Sequence, residues 1–165
     1  MPEAEEASYI HSALELLTAK TGTKPRGWLG AGYGESARTP ALLAAEGLSY
    51  VCDWPNDEQP YRMETANGEL VSLPMTLDVD TGFARERRIT SLQWLARVRA
   101  TSDRLSAEGA ESGRLFAVSL YPWLDGQPHR IKYLEQALAY VSTHDGVWSA
   151  TGGEIVDWFR AQGSA

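Results

Sequence analysis

The stretch Lys24–Tyr61, KPRGWLGAGYGESARTPALLAAEGLSYVCDWPNDEQPY, decides how the rest of the chain is read. Gly27-Trp28-Leu29 is a short apolar run, and the loop Gly30-Ala-Gly-Tyr-Gly-Glu35 follows it. Thr39-Pro40 suits an N-cap and a first helical position, Leu42 to Glu46 fill a short helix, and Gly47 closes it. Leu48–Cys52 then reads as a second strand, ending at Asp53-Trp54-Pro55-Asn56-Asp57. A strand–helix–strand unit this short predicts two parallel neighbours joined by a right-handed crossover. Chemistry in such folds sits at the C-terminal ends of the strands. The loop Gly30–Ser36 and the loop Asp53–Tyr61 are therefore expected side by side on one face.

The chain has 165 residues, 43% of them hydrophobic and 22% charged, which fits one globular domain and not a disordered tract. A net charge of -7 with no basic stripe argues against nucleic acid as a partner. The single cysteine excludes an internal disulfide framework and a multi-cysteine zinc site. No apolar run approaches the roughly 20 residues of a membrane span, so no membrane partner is expected. The opening Met1-Pro-Glu-Ala-Glu-Glu lacks the basic-then-apolar pattern of a secretion signal, which predicts a cytoplasmic protein.

Outward from the central stretch, Ile10, Ala13, Leu14 and Leu17 form one stripe of a helix over residues 3 to 20, with Glu3, Glu5 and Glu6 in its first turns and Gly22 at its end. Tyr61–Thr65 and Glu69–Leu73 flank Asn67-Gly68, a hairpin signal. Met75–Asp80 reads as a short strand with Thr76, Asp78 and Asp80 on one face. Thr90-Ser-Leu-Gln93 is a capping box opening a helix whose buried side is Leu92, Leu95, Val98 and Leu105. Leu115–Leu120 reads as a strand covered on both faces. It leads into the aromatic loop Tyr121-Pro-Trp-Leu-Asp-Gly126. Pro128 opens a further helix striped by Ile131, Leu134, Leu138 and Val141, and Val147–Ser149 is a last short strand. Thr151-Gly-Gly-Glu154 is a second capping box for a final helix. Helices outside a mostly parallel sheet make the fold class α/β.

Asp53 and Trp54 are the leading candidates for chemistry. A carboxylate at a strand end can act as base or ligand, and an indole beside it can pack on a sugar ring or amide. The alternative is a solvated acidic loop with Trp54 folded onto the core. Asp78 and Asp80 can form a carboxylate pair, or be exposed charges on a half-buried strand. Tyr121 and Trp123 can line a pocket or merely close the end of the structure. His129 opens a helix and His144 ends it, so the two cannot share a metal. No HxxxH, HExxH or CxxC pairing exists, and no metal site is expected from this chain. Cys52 reads as a buried filler.

Pro25-Arg-Gly-Trp-Leu29, Glu35-Ser36, Thr39-Pro40, Leu42-Leu43 and Tyr50-Val-Cys-Asp-Trp-Pro-Asn-Asp-Glu-Gln-Pro-Tyr61 resemble the polysaccharide deacetylase (NodB-homology) superfamily, in its allantoinase-like branch. Val71-Ser-Leu-Pro74, Pro122-Trp-Leu-Asp-Gly-Gln-Pro-His-Arg-Ile131 and the tail from Gly146 to Trp158 extend the resemblance over nearly the whole chain. The resemblance implies the C-terminal portion of an irregular (β/α) barrel, residues 1–165 being a single partial domain, and hydrolysis of carbon–nitrogen bonds other than peptide bonds. The family's first strand, with a Thr-Phe-Asp-Asp type motif carrying the catalytic carboxylate, and its metal-binding histidine motif would both lie before Met1. A divalent metal is then expected only if its ligands come from that missing part. By the same resemblance Arg26 corresponds to an arginine that orients the missing carboxylate, and Asp53-Trp54 to the groove wall. Tyr121 stands where members carry a histidine acting as general acid. A tyrosine with an ordinary pKa of about 10 is a poorer proton shuttle at neutral pH.

The expected catalytic set is Arg26, Asp53 and Tyr121, with Glu35, Trp54, Asp78, Asp80, Trp123 and His129 as substrate contacts. The expected partners are a small-molecule or sugar substrate and either a second copy of the chain or a complementary N-terminal half. A non-catalytic half-barrel, serving as a carbohydrate-binding or interaction module, is the rival reading.

Overall fold

A computed structural model describes residues 1–162. Two compact units divide the chain, one of Met1–Leu73 with the stretch from Ala150 onward, the other of Pro74–Ser149. Among the described residues no helix is long and apolar enough to cross a membrane.

In the first unit, α1 (Glu3–Thr21) carries Glu3, Glu5 and Glu6 in its first turn. Gly22 ends it at a φ of 73°, a left-handed backbone that glycine adopts without a Cβ penalty. Ile10 and Leu14 are buried, whereas Leu17, expected on the same stripe, is 47% exposed. The elements that follow are β1 (Gly27–Trp28), α2 (Thr39–Ala45), β2 (Tyr50–Val51), β3 (Tyr61–Thr65) and β4 (Gly68–Ser72). The sheet order is β1-β2-β4-β3. β1 pairs parallel with β2, as the crossover argument requires, and β2 pairs parallel with β4. β3 and β4 form the antiparallel hairpin, with Thr65 opposite Gly68. The sheet is thus mixed, and the α/β class holds. Ile10, Leu14, Leu43, Leu48, Val51 and Leu70 form its core, with Trp28, Leu42 and Met63 packed against them.

Thr39 does not cap α2 with its side chain. Its hydroxyl donates to Glu6 on α1 and accepts from the Ser36 amide at 2.8 Å. The buried Glu6 carboxylate also accepts from the Ser36 hydroxyl at 2.9 and 2.8 Å, and from Arg38 at 3.4 Å. A buried anion needs every donor it can reach, so Thr39 serves the tertiary contact and not its own helix. The Tyr50 ring lies where a Cβ on Gly27 would sit 2.1 Å away and one on Gly152 about as tightly, at 2.7 Å from the hydroxyl. Those two glycines let Tyr50 fit between β1 and the start of the last helix, at Gly152.

In the second unit the order is α3 (Thr81–Glu86), α4 (Ser91–Gly109), α5 (Pro122–Asp125) and α6 (Ile131–Val141). Val79, Ala84, Trp94, Leu95, Val98 and Ala137 form its core, backed by Phe116, Val118, Tyr133 and Leu134. The capping box at Thr90 and Gln93 forms in both directions. Leu92, however, is 63% exposed, and Trp94 takes its place on the buried side, its indole donating to the Val79 carbonyl at 2.7 Å. Met75–Asp80 is not a strand. Leu77–Val79 makes a 3₁₀ turn, because the amides of Val79 and Asp80 bond back to Thr76 and Leu77 instead of across to a neighbour. Leu115–Leu120 runs outside any ladder and is half-buried up to an exposed Leu120. The Thr76 amide reaches the Ala117 carbonyl and the Thr81 amide the Ser119 carbonyl, too few bonds to make a ladder. Val147–Ser149 forms no strand either. The segment 121–126, expected as a loop, contains the short helix α5, and α6 starts at Ile131, three residues after Pro128.

The last element, α7 (Gly152–Gln162), belongs to the first unit. Its capping box forms as expected: the Thr151 amide donates to Glu154 at 2.7 Å, and the Glu154 amide to the Thr151 hydroxyl at 3.3 Å.

Candidate functional site

The parallel pairing of β1 and β2 carries their C-terminal loops to one edge, and those loops are joined there. The Gly30 amide donates to Asp53 Oδ1 at 2.7 Å. The Trp54 indole donates to Glu35 Oε2 at 2.8 Å. Gly30 is required by this approach: a Cβ on it would lie 2.6 Å from the Gly34 carbonyl oxygen and 3.2 Å from Asp53 Oδ2. Between Gly30 and Glu35 the chain makes a 3₁₀ turn in which both Gly32 (φ 63°) and Tyr33 (φ 59°) are left-handed. For an aromatic residue that conformation is strained and persists only where its surroundings enforce it.

Each of the two carboxyl groups has one oxygen left over. Asp53 Oδ2 and Glu35 Oε1 are both buried, and no N–H or O–H group of the described residues donates to either. The two carboxyl groups lie close enough to bear on each other's ionisation. Burial, followed by the contact with Asp53, pushes Glu35 up to about 7. Burial also raises Asp53, opposed by the Gly30 amide and by Glu35. Two carboxyl groups in one dry site cannot both ionise freely. The pair therefore holds a proton on the Glu35 side at and below neutrality. Trp54 is 41% exposed, so its ring is presented to solvent at the strand end and is not folded onto the core. Burial pushes the Cys52 thiol up to about 12, in keeping with a filler and not a nucleophile.

Arg26, just before β1, makes a two-pronged pair with Asp157 of α7 at 2.9 and 2.5 Å. Asp157, 131 residues away, is a partner that no local pattern could reveal.

The second unit brings together Asp80 and Tyr121. The Tyr121 hydroxyl donates to Asp80 Oδ2 at 3.4 Å, while Asp80 Oδ1 accepts the Phe83 amide at 3.0 Å and so caps α3. Burial, then the Asp80 charge, raises Tyr121, which keeps its phenol neutral. Asp125 anchors this corner: its Oδ2 accepts from the Thr81 hydroxyl and the Tyr121 amide, both at 2.7 Å. Sequence reasoning missed Asp125; its spacing of four residues from Tyr121 across a Pro-initiated turn was the available signal. Trp123 is 59% exposed, 6.1 Å from the Tyr121 ring, and the Arg85 guanidinium lies 5.3 Å from its centroid. Asp78 does not join Asp80. It is exposed and pairs with Arg87 at 3.1 Å, because the 3₁₀ turn replaces the alternation of a strand. His129 is exposed ahead of α6. Among the described residues no three His, Cys, Asp or Glu side chains gather as a metal site would.

No family model matches the chain, and no curated protein does. Solved structures do. PuuE allantoinase superposes with a TM-score of 0.89 at 27% identity, over 98% of this chain and 54% of its own. A protein described as a probable polysaccharide deacetylase from Pseudomonas aeruginosa PAO1 superposes with a TM-score of 0.88 at 30% identity, over 97% of this chain and 55% of its own. The chain thus spans about half the length of the solved proteins it matches. In fold it is a structural relative of PuuE allantoinase and the polysaccharide deacetylases.

Proposed function

We propose that this chain is part of a hydrolase of carbon–nitrogen bonds other than peptide bonds, of the deacetylase or allantoinase type, and that its sheet is a portion of an irregular (β/α) barrel forming a single partial domain. The observation that carries this reading is the match of nearly the whole chain to such proteins, with Asp53-Trp54 at the end of a parallel strand. Hydrolysis of an amide needs a positioned water, a base, donors for the tetrahedral oxyanion and an acid for the leaving nitrogen. Within the first unit Asp53 and Glu35 offer carboxyl groups and one proton, and Arg26 a cation; within the second unit, taken by itself, Tyr121 offers a neutral hydroxyl donor. Trp54, Asp80 and Trp123 are assigned as substrate contacts, with Asp78 and His129 as outer ones. The attacking-water base is assigned to a segment outside this chain, as are the ligands of any divalent metal. The proposed partner is a complementary N-terminal half or a second copy, in the cytoplasm.

The exposed rings of Trp54 and Trp123 favour one second reading, a carbohydrate-binding module without turnover, since flat aromatic faces pack on sugar rings. Release of acetate from N-acetylated oligosaccharides, and ring opening of allantoin, by this chain joined to the N-terminal half that would supply the base, are the decisive assays. Turnover that Asp53→Asn abolishes supports the hydrolase. Saturable oligosaccharide binding without turnover, lost in Trp54→Ala, supports the module.

A further inference from the structure

In the second unit α4 and α6 are joined by more than the apolar contacts of Val98 and Ala137. At the C-terminal end of α6 a polar cluster ties the two helices, and none of its members takes part in the chemistry assigned above. His144, three residues past the end of α6 at Val141, points Nε2 at Asp103 Oδ1 of α4, 3.0 Å away. Its Nδ1 lies 3.2 Å from the Tyr140 carbonyl oxygen. The Tyr140 hydroxyl donates to the same Asp103 oxygen at 2.7 Å. The Tyr140 ring stands edge-on to the imidazole, with 5.2 Å between centroids. The imidazole is only 16% exposed, so these groups, more than water, complete its hydrogen bonds.

Both groups that face the ring nitrogens are acceptors. A backbone carbonyl has no proton to give, and neither has an ionised carboxylate. The Tyr140 hydroxyl first, and then His144, hold Asp103 below the usual carboxylate range, so it is ionised. A neutral imidazole carries one N–H and would leave its other nitrogen lone pair against an oxygen lone pair. An imidazolium donates at both positions. The carbonyl side has a further cause: Tyr140 lies in the last turn of α6, where carbonyls run out of helical partners and the dipole favours a cation. We propose that protonated His144 is a clasp that caps α6 and fastens it to α4 through Asp103, so that uptake of one proton tightens the end of this helix pair.

The titratable and charged groups around the imidazole come from both helices. From α4 come Asp103, in contact, and Arg99, whose guanidinium lies 5.1 Å from the Tyr140 centroid. From α6 comes Tyr140, whose phenol is raised by its bond to Asp103 and stays neutral. The bond to Asp103 above all raises His144; burial opposes it, and the Tyr140 and Val141 carbonyls add to it. The folded state thus holds the proton more tightly than the unfolded one. The clasp is fully closed below the ordinary histidine value of about 6.5 and opens as pH rises through the higher folded value.

The test uses the whole chain, ¹⁵N-labelled, between about pH 5 and 9. The His144 ring signals, assigned by their loss in His144→Ala, give its titration. Hydrogen exchange gives protection factors for the Ser142 and Thr143 amides, which bond back to Leu138 and Tyr140 at the end of α6. In the wild type these amides should lose protection roughly two- to fivefold as His144 deprotonates, the size of a cation's effect at a helix C-terminus. His144→Ala, with no donor, should show the lower protection at every pH. Asp103→Asn keeps an oxygen for the imidazole but not the charge, so both the ring titration and the loss of protection should move to lower pH. Protection in the wild type that stays constant across the range overturns the clasp. So does a His144 titration with the same midpoint in Asp103→Asn as in the wild type, or a His144→Ala protein that keeps the pH-dependent loss. The wild-type profile decides even if a variant fails to fold.

Discussion

The loop edge of the first unit and the Tyr121 corner of the second both bury aspartates, yet they satisfy them in opposite ways. Asp125 receives two full donors on one oxygen, the Thr81 hydroxyl and the Tyr121 amide, and Asp80 receives the Phe83 amide and the Tyr121 hydroxyl. Their acceptor oxygens are satisfied by donors that the fold itself supplies. Asp53 receives one backbone amide and then meets a second carboxyl group. Its surroundings are completed by a proton that solution pH can remove. A buried carboxylate with enough donors is a structural pin; one short of a donor becomes a titrating element.

Removing the pin should show the largest effect. Asp125→Ala leaves the Thr81 hydroxyl and the Tyr121 amide without their acceptor, and should cost about 3 kcal/mol in a urea melt. A loss no larger than that of an exposed substitution would erase the contrast between the two regions. Gly30→Ala comes next. Its Cβ would press on the Gly34 carbonyl and crowd Asp53, and a fall of roughly 2 kcal/mol in unfolding free energy is expected, together with loss of the Trp54 indole bond.

The pH dependence then sharpens the comparison within the first unit. Glu35 is raised in the folded state, so the folded protein binds more protons than the unfolded one from the ordinary carboxylate range up to about 7. Its contribution is complete below that range and declines as pH rises through it. Glu35→Gln should flatten this part of the stability profile. Glu6 has the reverse sign. The Thr39 hydroxyl above all, with Ser36 and Arg38, holds it below the usual carboxylate value. Its contribution is present above pH 4.5 and is lost as pH falls, a loss that Glu6→Gln should remove. Melts between pH 3 and 9 on the two variants should therefore diverge at opposite ends. Profiles that change at the same end would refute the assignment. Tyr121→Phe should have the smallest effect on stability, about 0.5 kcal/mol, since its hydroxyl bond to Asp80 is long at 3.4 Å. A large loss would mean that the phenol, and not Asp125, pins the corner.

Much of the local structure was legible in the residues. Both capping boxes, the Asn67-Gly68 hairpin, the Gly22 helix stop and the parallel unit from Gly27 to Val51 rest on backbone preferences that act within a few residues. The Asp53-Trp54 pair and its nearness to the Gly30–Ser36 loop followed from strand order alone. The failures are of another kind. Met75–Asp80 and Leu115–Leu120 have strand-like patterns, but a strand exists only where a neighbour offers a ladder, and short patterns cannot report on neighbours. Leu92 and Trp94 exchanged places because helical spacing leaves the edges of an apolar face undecided.

The amino-acid sequence by itself determined the α/β class, the caps and turns, and which short segments could carry chemistry, because those depend on spacing and local backbone energetics. Only the tertiary structure decided the partners: Asp157 for Arg26, Glu6 for Thr39, Asp125 for the Tyr121 amide, and Glu35 for Asp53. Those pairings join residues from separate elements, and each rests on burial that removes water as the competing partner.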